Sequence, residues 1–150
     1  MRKEFITRSP EETISFAEKF GKYLHPGDVL AYLGDLGAGK TTFTRGLALG
    51  LGLKDLVTSP TFALVHVYGQ PPLQLCHFDM YRITDENELE TTGFYDYDLN
   101  ESIFAVEWSE NIMNALPEHT IRLTLERISD DERKIILETQ EAERFADFGT

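Results

Sequence analysis

An α/β domain with a mostly parallel central sheet and an antiparallel edge is predicted by three observations. Asp28-Val29-Leu30-Ala31-Tyr32-Leu33 is a short apolar strand that runs straight into Gly34-Asp35-Leu36-Gly37-Ala38-Gly39-Lys40-Thr41. Thr42 to Leu49 leave that turn with Phe43, Leu47 and Leu51 at helical spacing. Strand and helix patterns then alternate along the rest of the chain, the signature of helices covering a sheet.

Taken in order, Glu4 to Thr7 is a short edge strand. Ser9-Pro10-Glu11-Glu12 supplies an N-cap, a proline at the first helical position and a capping-box glutamate. The helix that follows carries Ile14, Ala17, Phe20 and Leu24 as its apolar stripe and stops before His25-Pro26-Gly27. Gly50-Leu51-Gly52 closes the second helix. Ser59-Pro60-Thr61-Phe62 is an extended loop, because the residue before proline is pushed out of the helical region. Ala63 to Tyr68 and Leu73 to Phe78 are two strands joined through Gly69-Gln70-Pro71-Pro72. Glu86 to Thr92 is a short helix ending at Gly93, Ile103 to Val106 a buried strand, and Ser109 to Leu116 a helix closed by Pro117. Thr120 to Arg127, with Ile121, Leu123 and Leu125 inward, pairs with Arg133 to Thr139 as a hairpin. Gln140 to Thr150 form at most a polar terminal helix.

The chain of 150 residues is read as one domain, residues 140–150 being a polar tail. It contains no apolar run near the ~20 residues of a membrane span, and Met1-Arg2-Lys3-Glu4 leads into no signal-peptide core. The single Cys76 cannot form an internal disulfide and reads as a small core hydrophobe, which fits a reducing cytoplasm. Residues 1–84 carry nine Lys/Arg against eight Asp/Glu, whereas residues 85–150 carry five against eighteen. That acidic half repels phosphate backbones and argues against direct tight binding of nucleic acid. It suits either a basic protein partner or plain solvation.

Gly34 to Thr41 match the phosphate-binding pattern G-x-x-x-x-G-K-[ST]. Its glycines let backbone amides curl around a β-phosphate, its lysine neutralises β/γ charge, and its hydroxyl holds Mg²⁺. The nucleotide contacts therefore fall on Asp35, Gly37, Ala38, Gly39, Lys40, Thr41 and Thr42, and the fold is the three-layer P-loop NTPase fold. Such a loop needs an acid to orient the metal and a group to position water. Asp79 and Glu107 each end an apolar strand, at the sheet edge where ligands bind in open α/β sheets. Periodicity does not choose between them. Ser59 and Thr61 lie where nucleotide switches place a γ-phosphate-sensing hydroxyl, although spacing alone favours a turn role.

Four segments together resemble the TsaE (YjeE) family of bacterial P-loop ATPases, which take part in making the threonylcarbamoyladenosine (t6A) modification of tRNA. They are Gly34 to Thr42, Ser59-Pro60-Thr61-Phe62, His77-Phe78-Asp79-Met80-Tyr81-Arg82 and Val106-Glu107-Trp108-Ser109-Glu110. The resemblance spans roughly residues 5–140. It implies an ATP hydrolase, weak alone and stimulated by its partners TsaB and TsaD, with tRNA reached only through that complex. It also implies that Thr41 and Glu107 contact Mg²⁺ and Lys40 the β/γ-phosphates. Asp79 becomes a water-orienting or metal-side acid and Thr61 a switch hydroxyl. Ser59, Tyr81, Arg82 and Trp108 become partner or switch residues. Adenine contacts stay open, Thr7 to Glu12 and Arg127 being weak candidates.

The rival reading is a small-molecule or nucleotide kinase with the same loop. Arg122, Arg127 and Arg133 fall on the terminal hairpin, with no long loop to form an arginine-rich lid. A GTPase is disfavoured by the lack of N-K-x-D and D-x-x-G sequences.

Overall fold

A computed structural model describes residues 1–34, 38–53, 56–58 and 65–149 of the chain. Among these, eight strands form one sheet in the order β1-β8-β7-β2-β6-β5-β4-β3. They are β1 (Arg2–Thr7), β2 (Val29–Leu33), β3 (Leu56–Thr58), β4 (Val65–Gln70), β5 (Leu73–Asp79), β6 (Ser102–Glu107), β7 (Ile121–Arg127) and β8 (Arg133–Glu138). The central four, β7-β2-β6-β5, are parallel to one another. Antiparallel pairs complete both edges, β8 and β1 on one side and β4 and β3 on the other. The predicted class holds, with antiparallel pairing at two edges rather than one.

Helix α1 (Pro10–Gly21) begins as its sequence dictates. Ser9 Oγ accepts from the Glu12 amide at 3.0 Å and Pro10 occupies the first helical position. Its buried face is Thr13, Ala17, Phe20 and Gly21, so Leu24 packs in the core from beyond the helix end. Helix α2 (Lys40–Gly50) ends in a Schellman motif: Leu53 N–H bonds Ala48 O at 2.8 Å and Gly52 N–H bonds Leu49 O at 3.0 Å, with Gly52 at φ 76°.

Strand alternation splits the core into two faces. On one, α1 and α2 cover Leu30, Tyr32, Leu75, Ile103, Ala105, Leu123 and Leu125. The other holds Val29, Val65, Cys76, Phe78, Phe104 and Val106 beneath Leu89, Phe94 and Ile112. The covering layer there is made of 3₁₀ segments, Glu86–Thr92, Phe94–Asp96, Leu99–Glu101 and Ser109–Ala115. The expected helices at 86–92 and 109–116 are thus tighter turns, which suits their Asn, Ser and Thr content. Trp108 leads into the last segment in the left-handed region (φ 57°), and Ile112 interrupts it with a kink.

Residues 140–149 correct a second expectation. They form turns rather than a polar helix, and Phe145 and Phe148 are buried against Phe20 and Tyr23. Lys3 Nζ donates to the carbonyls of Phe145, Ala146 and Phe148 at 3.0–3.1 Å. Arg144 holds buried Asp28 through two hydrogen bonds of 2.7 and 3.0 Å. Two aromatic rings in an acidic stretch, with the Lys3 and Arg144 hydrogen bonds, dock the segment.

Candidate functional site

The site forms where β2, β5 and β6 end together. Gly34 follows β2 at φ 124°, and a Cβ there would meet Leu125 O at 2.0 Å, so only glycine fits between β2 and β7. Gly39 caps α2 in the left-handed region, and no side chain caps the helix among the described residues. The first-turn amides of α2 therefore point out of the helix as donors, at the positive end of its dipole. No acid lies in that turn to offset the charge. Lys40 is buried at 7% exposure, and its Nζ donates to Gly34 O at 2.6 Å while lying 5.8 Å from the Trp108 ring centroid. Thr41 is exposed and Thr42 half-buried on the same turn, while Ala38 is buried before it. Asp35 and Gly37 lie outside the described residues, as do Ser59 and Thr61.

Asp79 and Glu107 are directly opposite in the parallel β5–β6 register. Counting by twos from core residues Leu75 and Ala105 puts both acids on the sheet face that α2 covers. Both are half-buried. Asp79 Oδ1 accepts from the Tyr81 amide at 3.0 Å, an Asx-type turn that ends the strand. Met80 N–H bonds Glu107 O at 3.0 Å, and Asn111 Nδ2 donates to Met80 O at 2.8 Å, which ties the two strand tips together. Tyr81 is exposed and meets the half-buried Trp108 edge-on, ring centroids 5.2 Å apart. Arg82 is exposed beside it.

Sequence reasoning assigned no role to His77, the third-last residue of β5. It is 6% exposed, and its Nε2 donates to Glu107 Oε2 at 2.5 Å. Its spacing of two from Asp79 was the available signal, since strand residues two apart share a face. Tyr32 touches His77 edge-on at 6.1 Å and hydrogen-bonds Thr44 Oγ1 at 2.7 Å; Thr44 in turn donates to Lys40 O at 2.9 Å. Arg133 reaches in from β8 to donate Nε to Ala38 O at 3.1 Å. Together with Pro10, Thr13, Gly39, Thr42 and Asp131 it lines a cavity of about 50 Å³ beside the turn. Of the weak adenine candidates, Pro10 borders that cavity, whereas Arg127 does not line it and pairs with Asp130.

A sheet of this order, with a glycine turn opening into α2 and acids on the adjoining strand tips, defines a protein of the P-loop NTPase fold. Within that class the particular family is plain. The family profile described as threonylcarbamoyl adenosine biosynthesis protein TsaE matches residues 7–135. The chain is 43% identical over 129 residues to the tRNA threonylcarbamoyladenosine biosynthesis protein TsaE of Bacillus subtilis (strain 168), covering 86% of this chain and 80% of that one. It is 44% identical over 126 residues to the protein of the same name from Haemophilus influenzae, covering 83% and 79%. The crystal structure of Bacillus subtilis YdiB superposes with a TM-score of 0.74 at 34% identity, covering 97% of this chain and 90% of that one. The chain belongs to the TsaE family. No helix among the described residues is long and apolar enough to cross a membrane.

Proposed function

We propose that the chain binds ATP with Mg²⁺ at the turn before α2 and hydrolyses it in support of the t6A modification of tRNA, acting with TsaB and TsaD. The observation that carries this reading is the meeting of a buried lysine, an uncapped helix N-terminus and two paired strand-tip carboxylates at one edge of the sheet. That donor set fits the pair: amides and an ammonium for phosphate oxygens, hydroxyl and carboxylate oxygens for a hard cation. Bound there, ATP·Mg²⁺ supplies an electrophilic γ-phosphorus whose charge is already partly neutralised.

The chain's own residues divide the remaining work. Lys40 and the α2 amides hold the β- and γ-phosphates, and Thr41 and Glu107 hold the cation. Asp79 is the acid left to orient attacking water, with Thr61 as the hydroxyl that responds to the γ-phosphate. The exposed Tyr81 and Arg82 and the half-buried Trp108 are the residues read by partners, with Ser59 assigned the same role. A net charge of −12 keeps tRNA at a distance, so RNA is reached through the complex. The kinase alternative gains no lid from two of the hairpin arginines: Arg133 donates to Ala38 O and to loop carbonyls, and Arg127 pairs with Asp130.

Phosphate release measured with and without purified TsaB and TsaD tests the reading. Stimulation by the pair is expected. A rate indifferent to them, or label passing from ATP to a small acceptor, overturns it in favour of the kinase. Lys40→Ala should abolish nucleotide binding. Glu107→Ala should keep most of the binding and lose Mg²⁺-dependent turnover, at least about 100-fold.

A further inference from the structure

We propose that His77 is a positioning residue that fixes the carboxylate of Glu107 for the cation. The inference rests on the reading of Glu107 as a cation ligand and adds the residue that sets its geometry. In the β5–β6 register His77 lies opposite Ala105 and Asp79 opposite Glu107, so His77 and Glu107 are diagonal neighbours on one face. The imidazole Nε2–H engages Oε2 at 2.5 Å, and among the described residues Oε1 takes no hydrogen bond, which makes it the oxygen for a ligand. A glutamate with three rotatable bonds otherwise samples several orientations, and a ligand that selects one must offset that freedom.

The imidazole is itself held. It is buried, with Tyr32 edge-on at 6.1 Å and an interplanar angle of 82°, and with His66 from β4 at 6.3 Å. Thr44 Oγ1 gives its proton to Lys40 O, so the Tyr32 hydroxyl donates to Thr44. The run Glu107–His77–Tyr32–Thr44–Lys40 crosses β6, β5, β2 and α2. It refers the acid and the phosphate lysine to one packed scaffold. Hydrogen-bond partners of this kind, one step behind a metal ligand, change metal affinity by about 10–100-fold when removed.

The test is Mn²⁺ binding to the ATP-analogue-loaded protein, read by electron paramagnetic resonance beside the melting temperature. His77→Phe keeps the ring and removes the donor; His77→Gln keeps a donor of similar reach. His77→Phe should weaken Mn²⁺ binding about tenfold or more, with nucleotide affinity in the absence of metal unchanged, and His77→Gln should recover most of the loss. Turnover of His77→Phe should return at saturating metal, a change in the metal's KM rather than in kcat. Wild-type Mn²⁺ affinity in His77→Phe overturns the positioning role, as does an equal loss in both His77 variants. Glu107→Gln separates the two claims: if it too binds Mn²⁺ normally, the cation-ligand reading falls and this inference with it. If only Glu107→Gln is weakened, the positioning role alone falls. Should His77→Phe fail to fold, the ¹⁵N spectrum of the wild-type imidazole decides. Its Nε2 resonance should shift when Mg²⁺ joins the analogue-loaded protein, and an unmoved resonance overturns the proposal.

Discussion

Single residues at this site are constrained by close backbone approach as much as by chemistry. Gly34 shows this. Its φ of 124° is outside the range L side chains ordinarily adopt, and an added Cβ would lie 2.0 Å from Leu125 O. Neither neighbour is a flexible side-chain tip, so β2 and β7 would have to separate. Gly34→Ala should therefore lower stability by about 3 kcal/mol or more in urea unfolding and weaken nucleotide affinity with it. Wild-type stability would show that the turn adapts. Trp108 is the contrasting case, a bulky residue at φ 57° beside Glu107. Its left-handed backbone carries strain of about 1–2 kcal/mol, and in return the indole lies over Lys40 and against Tyr81. Strain of this sort gathers at functional sites.

At the level of elements, α1 and α2 approach closely because glycines line their contact. A Cβ on Gly46 would lie 2.6 Å from Ala17 Cβ, and one on Gly50 would lie 2.1 Å from Glu18 O. The two glycines are four apart and so share one helical face. Gly50→Ala sets two effects against each other. Alanine favours the helix by up to about 1 kcal/mol, less at its last residue, whereas forcing backbone apart costs about 1–3 kcal/mol. Overpacking wins, and the net loss should be about 1–2 kcal/mol by chemical denaturation; a stabilised variant would refute this account of the contact. The 3₁₀ segments on the opposite face cover Phe78, Phe104 and Val106 with Leu89, Phe94 and Ile112.

Across the whole molecule, stability should fall on the alkaline side for a specific reason. Cys76 is fully buried, and burial pushes its thiol up from 9.0 to about 12, against a smaller opposing hydrogen bond with Ser102. In the unfolded chain the thiol ionises near 9, while in the folded protein it stays protonated. The unfolded state therefore binds fewer protons between pH 9 and about 12, and stability drops as pH rises through that window. The slope from this group approaches about 1.4 kcal/mol per pH unit. Tyr32, raised above its usual 10 chiefly by burial, adds in the same direction at higher pH. Urea midpoints from pH 8 to 11 should decline less steeply in Cys76→Ala than in the wild type. Equal slopes would mean the thiol does not contribute.

What the sequence determined by itself was whatever depends on near neighbours along the chain. The Ser9-Pro10 helix start, the Gly52 helix stop, the two hairpins and the glycine turn into α2 were all readable, because each is set by residues within a few positions of one another. The two strand-tip acids were readable too, as the ends of apolar runs. The tertiary structure alone decided that His77 faces Glu107, because a diagonal pair depends on β5 and β6 being adjacent, parallel and in one register. It alone docked Phe145 and Phe148, whose burial needs α1 and β1 to be in place first. It also placed two expected helices as 3₁₀ segments over the second face of the sheet.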